Sequence, residues 1–231
     1  MNMESYISFP SFLSLCFTFF TFLYYSVDYE SFLQSFCKTC LQWFEFDVLI
    51  THEEIESLPS SLIIVTSHTS IYDFVFGFII YSLYFRKKYS AKIIMKKSFE
   101  IYVSPLLKWM DSKFQMIQVD SSKQGLTQKI TSQLQNQSNY VIGIAPEGTR
   151  SCVSKLRKGY YYIAKELNLP IVYLGIDFLE RKIKLEPVHL IEDSWEKEEM
   201  WFIQNCKKYT PLYPEQCFWT RDEYLDEISS S

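Results

Sequence analysis

Past residue 45 the chain alternates between short apolar runs and longer amphipathic stretches. Phe46 to Ile50, Leu62 to Thr66, Ala91 to Met95, Gln115 to Val119, Tyr140 to Ile144 and Ile171 to Ile176 are apolar, largely β-branched runs of strand length. Between them Phe74 to Leu83, Phe99 to Met110, Ser122 to Gln137 and Lys158 to Asn168 read as helices. Strand–helix alternation at this pitch predicts an α/β fold: a largely parallel sheet flanked by helices. At 231 residues one domain with a substantial core is expected.

The first 44 residues follow a different pattern. Ser5 to Val27 is a run of 23 residues without a charge, long enough to cross a bilayer with tilt. Hydroxyl residues recur in it every three or four positions (Ser5, Ser8, Ser11, Ser14, Thr18, Thr21), a stripe suited to helix packing in lipid. Its leader, Met-Asn-Met-Glu, lacks the cations of a signal peptide, and no small-residue cleavage site follows. Ser31 to Phe44 then shows amphipathic helical spacing. Residues 1–44 are therefore expected to form an N-terminal two-helix membrane anchor ahead of a folded domain at 45–231, either a hairpin in or on one leaflet or one whose first helix spans; packing of both helices in a protein core is the competing reading.

Charge is strongly segregated within a net of −4. Residues 1–85 carry Lys38 alone against nine acids, and residues 185–231 carry four cations against eleven acids. Residues 86–184 hold eighteen Lys and Arg against seven acids, a net of +11. Such a block implies an anionic partner, and without the aromatic–basic motif of an RNA-binding sheet it points away from nucleic acid. Six cysteines lack a secreted framework. Cys37-x-x-Cys40 has no second ligand pair beside it, so packing on one helix face is expected and no metal.

Two loops carry candidate chemistry. His68 follows the run Leu62 to Thr66, and Asp73 stands five positions later at a helix start. The strand's C-terminal edge is where ligands gather in open α/β sheets. A carboxylate reaching back to one imidazole nitrogen would leave the other as a general base. Ser70 with Asp73 also fits a capping box, which alone would give the acid no chemical duty. The second loop, Pro146-Glu147-Gly148-Thr149-Arg150, follows the strand Tyr140 to Ile144. Gly148 allows an unusual backbone angle, and Arg150 offers a planar donor fork suited to phosphate. The alternative is a plain turn with Glu147 and Arg150 paired to each other.

Together His68-x4-Asp73 and Glu147-Gly148-Thr149-Arg150 resemble the glycerophospholipid acyltransferase family, typified by lysophosphatidate (1-acylglycerol-3-phosphate) acyltransferases. The resemblance runs from about Phe46 to Pro187 and includes Lys96-Lys97-Ser98-Phe99, Pro105, Trp109, Val119-Asp120 and Leu169-Pro170-Ile171-Val172. It implies an O-acyltransferase domain at 45–231 that moves a fatty acyl group from acyl-CoA or acyl carrier protein to a lysophospholipid hydroxyl at the membrane, with no cofactor. His68 and Asp73 would be catalytic, while Arg150 with Lys96 or Lys97 would hold the acceptor phosphate in a pocket shaped by Glu147, Gly148 and Thr149. The domain is expected on the cytoplasmic side. Ser67, Lys108, Ser121 and Tyr173 depart from the residues usual at their positions. A thioester or lysolipid hydrolase, or a non-catalytic membrane-binding member of the fold, are the alternatives.

Overall fold

The computed structural model describes residues 29–96, 113–119 and 126–218. Seven strands form one sheet in the order β1-β7-β6-β2-β5-β3-β4. They are β1 (Asp47–Val48), β2 (Ser61–Val65), β3 (Ser90–Lys96), β4 (Phe114–Val119), β5 (Tyr140–Ile144), β6 (Ile171–Asp177) and β7 (Lys182–Leu185). All neighbours are parallel except β6 and β7, which form an antiparallel hairpin. The largely parallel α/β sheet expected from the alternation is thus present. The predicted helix Phe99 to Met110 and the start of Ser122 to Gln137 lie outside the described residues.

The helices are α1 (Tyr29–Trp43), α2 (His52–Ser57), α3 (Ile71–Ile80), α4 (Leu126–Leu134), α5 (Gly159–Leu167) and α6 (Trp195–Cys206). They cover two faces. The core on one side joins Leu33, Cys37 and Leu41 of α1 with Ile55 of α2, Phe76 and Ile79 of α3, and Leu62 of β2. On the other side Ile130 and Leu134 of α4, Tyr160 and Ile163 of α5, and Phe202 of α6 pack with Ile63 and Val65 of β2. Adjacent β2 residues thus serve opposite cores, and both faces of the strand are buried, as central parallel strands require.

The chain order fixes where a site can form. The connection leaving β2 leads through α3 to β3 on one side, and that leaving β5 leads through α5 to β6 on the other. Between the adjacent strands β2 and β5 the winding reverses, and a crevice opens outside their C-terminal ends. The register pairs Val65 with Ile144, so the two strands end level. His68 and Glu147 each stand three residues past that line.

Three elements were not signalled by the hydrophobic pattern. α2 is only six residues long, with Ile55 its one buried residue. β7 is four residues long with exposed lysines alternating with Ile183 and Leu185, and α6 is rich in glutamate, with Glu198 on its buried face. Of the two expected anchor helices, Ser5 to Val27 lies outside the described residues. The second is present as α1, but its apolar stripe is not turned to lipid: Leu33, Cys37, Cys40 and Leu41 are buried in the domain core. Glu30 at its start pairs with Arg86 at 2.9 Å, and Phe44 just past its end packs edge-on against Tyr72 and Phe76. No helix among the described residues is long and apolar enough to cross a membrane.

If α1 is part of the core, Leu33→Ala will leave a cavity and destabilise the protein by about 2–5 kcal/mol, read as a shifted urea midpoint. A loss below about 0.5 kcal/mol, as for a surface position, would contradict the packing.

Candidate active site

The first loop is organised by a helix start. Ser70, in an extended conformation, is the N-cap of α3; its hydroxyl accepts from Tyr72 N–H at 3.1 Å. Asp73, at the third helical position, completes the capping box by accepting from Ser70 N–H at 2.7 Å. The same oxygen, Oδ2, accepts from Thr69 N–H at 2.8 Å and lies 3.3 Å from His68 Nδ1. Cap and base-orienting carboxylate are therefore one group, and the two readings of Asp73 do not compete. Its side chain is only 4% exposed, whereas that of His68 is 25% exposed. Asp73 is placed to accept the proton of Nδ1, which leaves Nε2 as the nitrogen that can act as base.

The second loop turns tightly at its glycine. Gly148 has φ +62° and its N–H donates to Ala145 C=O at 3.0 Å. A Cβ at Gly148 would meet the Arg157 side chain at 2.5 Å as well as carrying the strain of the left-handed region. Arg157 N–H in turn donates to Pro146 C=O at 2.8 Å. Arg150 is exposed and Thr149 half-buried.

Glu147 does not pair with Arg150. It is buried beneath the first loop, where its Oε1 accepts from Ser67 Oγ at 3.0 Å and faces His68 N–H at 3.4 Å. Ser67, one of the departures from the family pattern, thereby ties the two loops together. The other oxygen, Oε2, and the hydroxyl of Thr69 are buried without a hydrogen-bond partner among the described residues. Burial pushes the Glu147 carboxyl up to about 7, against the lowering effect of the Ser67 hydroxyl, the nearby His68 and the local backbone N–H groups. Tyr173, another departure, lies in the same buried layer, with its hydroxyl on Cys206 Sγ at 3.4 Å and its own ionisation strongly disfavoured by burial.

The structure thus brings together His68, Asp73, Glu147, Gly148, Thr149 and Arg150. Lys96 closes β3 at the same edge of the sheet, and Lys97 lies outside the described residues. The family resemblance assigned Glu147 to the acceptor pocket; that it also anchors the His68 loop from below was not foreseen. It also missed Gln216, whose carboxamide meets the Thr69 and Arg150 carbonyls; no local motif marks that residue.

The Glu147 environment makes stability depend on pH. A carboxyl raised from 4.5 to about 7 binds a proton in the folded state that the unfolded chain has released, so its contribution is present below pH 4.5 and is lost as pH rises through 7. The loss is on the order of 3 kcal/mol. Glu147→Gln keeps the acceptor for Ser67 and cannot ionise. Relative to wild type it will gain stability progressively between pH 5 and 8 in denaturant titrations; a difference that does not change across that range would contradict an elevated Glu147.

Comparison with known proteins agrees with the fold. A solved structure, the 1-acyl-sn-glycerophosphate (LPA) acyltransferase PlsC from Thermotoga maritima, shares the fold with a TM-score of 0.52 and 17% identity, over 78% of this chain and 77% of that one. No curated protein sequence matches. A family model described as Acyltransferase matches residues 49–177, a span holding both loops and more than half of the sequence. The chain belongs to the acyltransferase family.

Proposed function

We propose that this enzyme transfers a fatty acyl group from acyl-CoA or acyl carrier protein to the free hydroxyl of 1-acyl-sn-glycerol-3-phosphate, giving phosphatidate. The observation that carries the reading is the His68–Asp73 pair, a partly exposed imidazole whose Nδ1 faces a buried, backbone-anchored carboxylate at 3.3 Å. It lies in a chain whose family model is that of acyl transfer. Nε2 of His68 takes the proton of the acceptor hydroxyl as its oxygen attacks the thioester carbonyl carbon. The tetrahedral centre collapses, the carbon–sulfur bond breaks, and the thiolate leaves with the proton carried by the imidazolium. No enzyme nucleophile is needed.

Arg150, exposed beside the base, holds the acceptor phosphate with Lys96 or Lys97, and the turn at Gly148 and Thr149 shapes that pocket. The cationic block at 86–184 suits both this phosphate and those of CoA. Both substrates reside in or partition to the bilayer, so the catalytic edge works at its surface. The uncharged stretch Ser5 to Val27 is assigned to membrane contact, with the domain on the cytoplasmic side.

The test is acyl transfer from labelled acyl-CoA by detergent-solubilised protein, offered a panel of lysophospholipids and a control without acceptor. Phosphatidate is expected from lysophosphatidate. Another product lipid would move the acceptor, and free fatty acid in the control would make the enzyme a hydrolase. His68→Ala will reduce transfer by roughly 10⁴-fold with the fold intact by circular dichroism; substantial residual activity would remove His68 from the role of base. Arg150→Ala will raise the acceptor KM about tenfold or more while changing the KM for acyl-CoA little. An unchanged acceptor KM would place the phosphate elsewhere.

A further inference from the structure

Beyond α6 the chain returns to the catalytic edge as a strap, 209–218. Its start is fixed on β6: the Tyr209 ring stacks on Tyr173 with centroids 5.8 Å apart. It passes so close over Gly175 that a Cβ there would fall inside the ring. Phe178 N–H donates to Thr210 C=O at 2.8 Å, and Thr210 N–H donates to Asp177 Oδ2 at 3.2 Å. Leu212 then packs on the α3 side of the sheet and Phe218 on the other. One 3₁₀ turn, Pro214–Gln216, lies between them.

Gln216 ends that turn over the crevice. The carbonyls of Thr69 and Arg150 both face its carboxamide. An oxygen in that place would oppose two acceptors, so the nitrogen occupies it and its two hydrogens serve one carbonyl each. The bond to Thr69 C=O is 3.0 Å, and that to Arg150 C=O is the second. Next to it Cys217 is buried; its carbonyl accepts from Cys152 Sγ at 3.2 Å and its thiol meets Ser67. The strap thus touches the first loop at Ser67 and Thr69 and the second at Arg150 and Cys152.

We propose that Gln216 is a positioning residue, a neutral double donor that clamps the His68 loop to the Glu147–Arg150 loop and so sets the distance between the base and the phosphate-holding arginine. The clamp lies beyond the segment that matches the family model, which ends at residue 177. Its catalytic consequence rests on the function proposed above. The acceptor's hydroxyl and phosphate belong to one small molecule, so the two loops must keep a fixed separation. They hang from different strands. Glu147 joins them from below through Ser67, and Gln216 joins them from the strap side through backbone carbonyls. A carboxylate at position 216 would repel both carbonyls while filling the same volume.

Two variants of the full-length protein test this: Gln216→Glu, nearly isosteric, and Gln216→Ala, which deletes the donors. Hydrogen exchange followed by mass spectrometry reads the loops, and steady-state transfer to lysophosphatidate reads the consequence. Both variants are expected to speed exchange roughly tenfold or more in peptides covering 66–73 and 148–153. The rest of the sheet should keep its wild-type exchange. Acceptor KM should rise and kcat/KM fall roughly 10- to 100-fold, with the KM for acyl-CoA and the melting temperature close to wild type. Glu215→Gln, an exposed neighbour, serves as the unchanged control.

Wild-type exchange in either loop overturns the clamp, and loosened loops with an unchanged acceptor KM overturn its positioning role. Uniform acceleration with loss of cooperative melting in Gln216→Glu would also overturn it, because Gln216 would then determine the fold at large. If the wild-type protein transfers no acyl group but both variants loosen both loops, the clamp stands and the proposed reaction falls.

Discussion

One oxygen of one buried carboxylate carries the site. Asp73 Oδ2 accepts from two consecutive backbone N–H groups and faces His68 Nδ1. A buried carboxylate needs such donors. Here they are the N–H of the N-cap, Ser70, and that of Thr69 just before it. Starting α3 and orienting the imidazole are thus two effects of the same carboxylate. Moving it by one residue would lose both, which is why the spacing between His68 and Asp73 is tied to helix geometry.

Around that point the sheet decides what else can reach the base. Level ends of β2 and β5 put Glu147 directly under the first loop, where one oxygen is held by Ser67 and the other has no partner among the described residues. A buried carboxyl raised by its burial to about 7 is a local cost that the surrounding fold supports. The strap then closes the arrangement from the other side. Each loop is thus held by contacts from a separate part of the chain.

Short-range features were legible in the sequence. The parallel strands show as apolar runs because both their faces are buried, and the two loops show because their chemistry is packed into five or six consecutive residues. The lipid and core readings of the stretch 31–44 could not be separated by pattern, because a face of Leu33, Cys37 and Leu41 buries equally well in either medium. Only its contacts with α2, α3 and β7 distinguish them. β7 and α6 escaped notice because a four-residue strand with lysines outward and a helix rich in glutamate carry little periodic signal. Glu147 was assigned to the acceptor pocket by resemblance, with an ion pair to Arg150 as the alternative; its burial under the first loop depends on the β2–β5 register. Gln216 acts through carbonyls far away in sequence and has no motif to announce it.

The central claim is the orientation of the base, and it can be read without turnover. The chain has three histidines, His52, His68 and His189, so long-range proton–nitrogen NMR spectra of protein labelled at histidine nitrogen will be sparse, and a His68→Gln sample identifies the signals. The account predicts that neutral His68 carries its proton on Nδ1, facing Asp73, with Nε2 unprotonated. A neutral His68 with its proton on Nε2 would contradict it, because the nitrogen left to accept a proton would then be the one turned to the carboxylate.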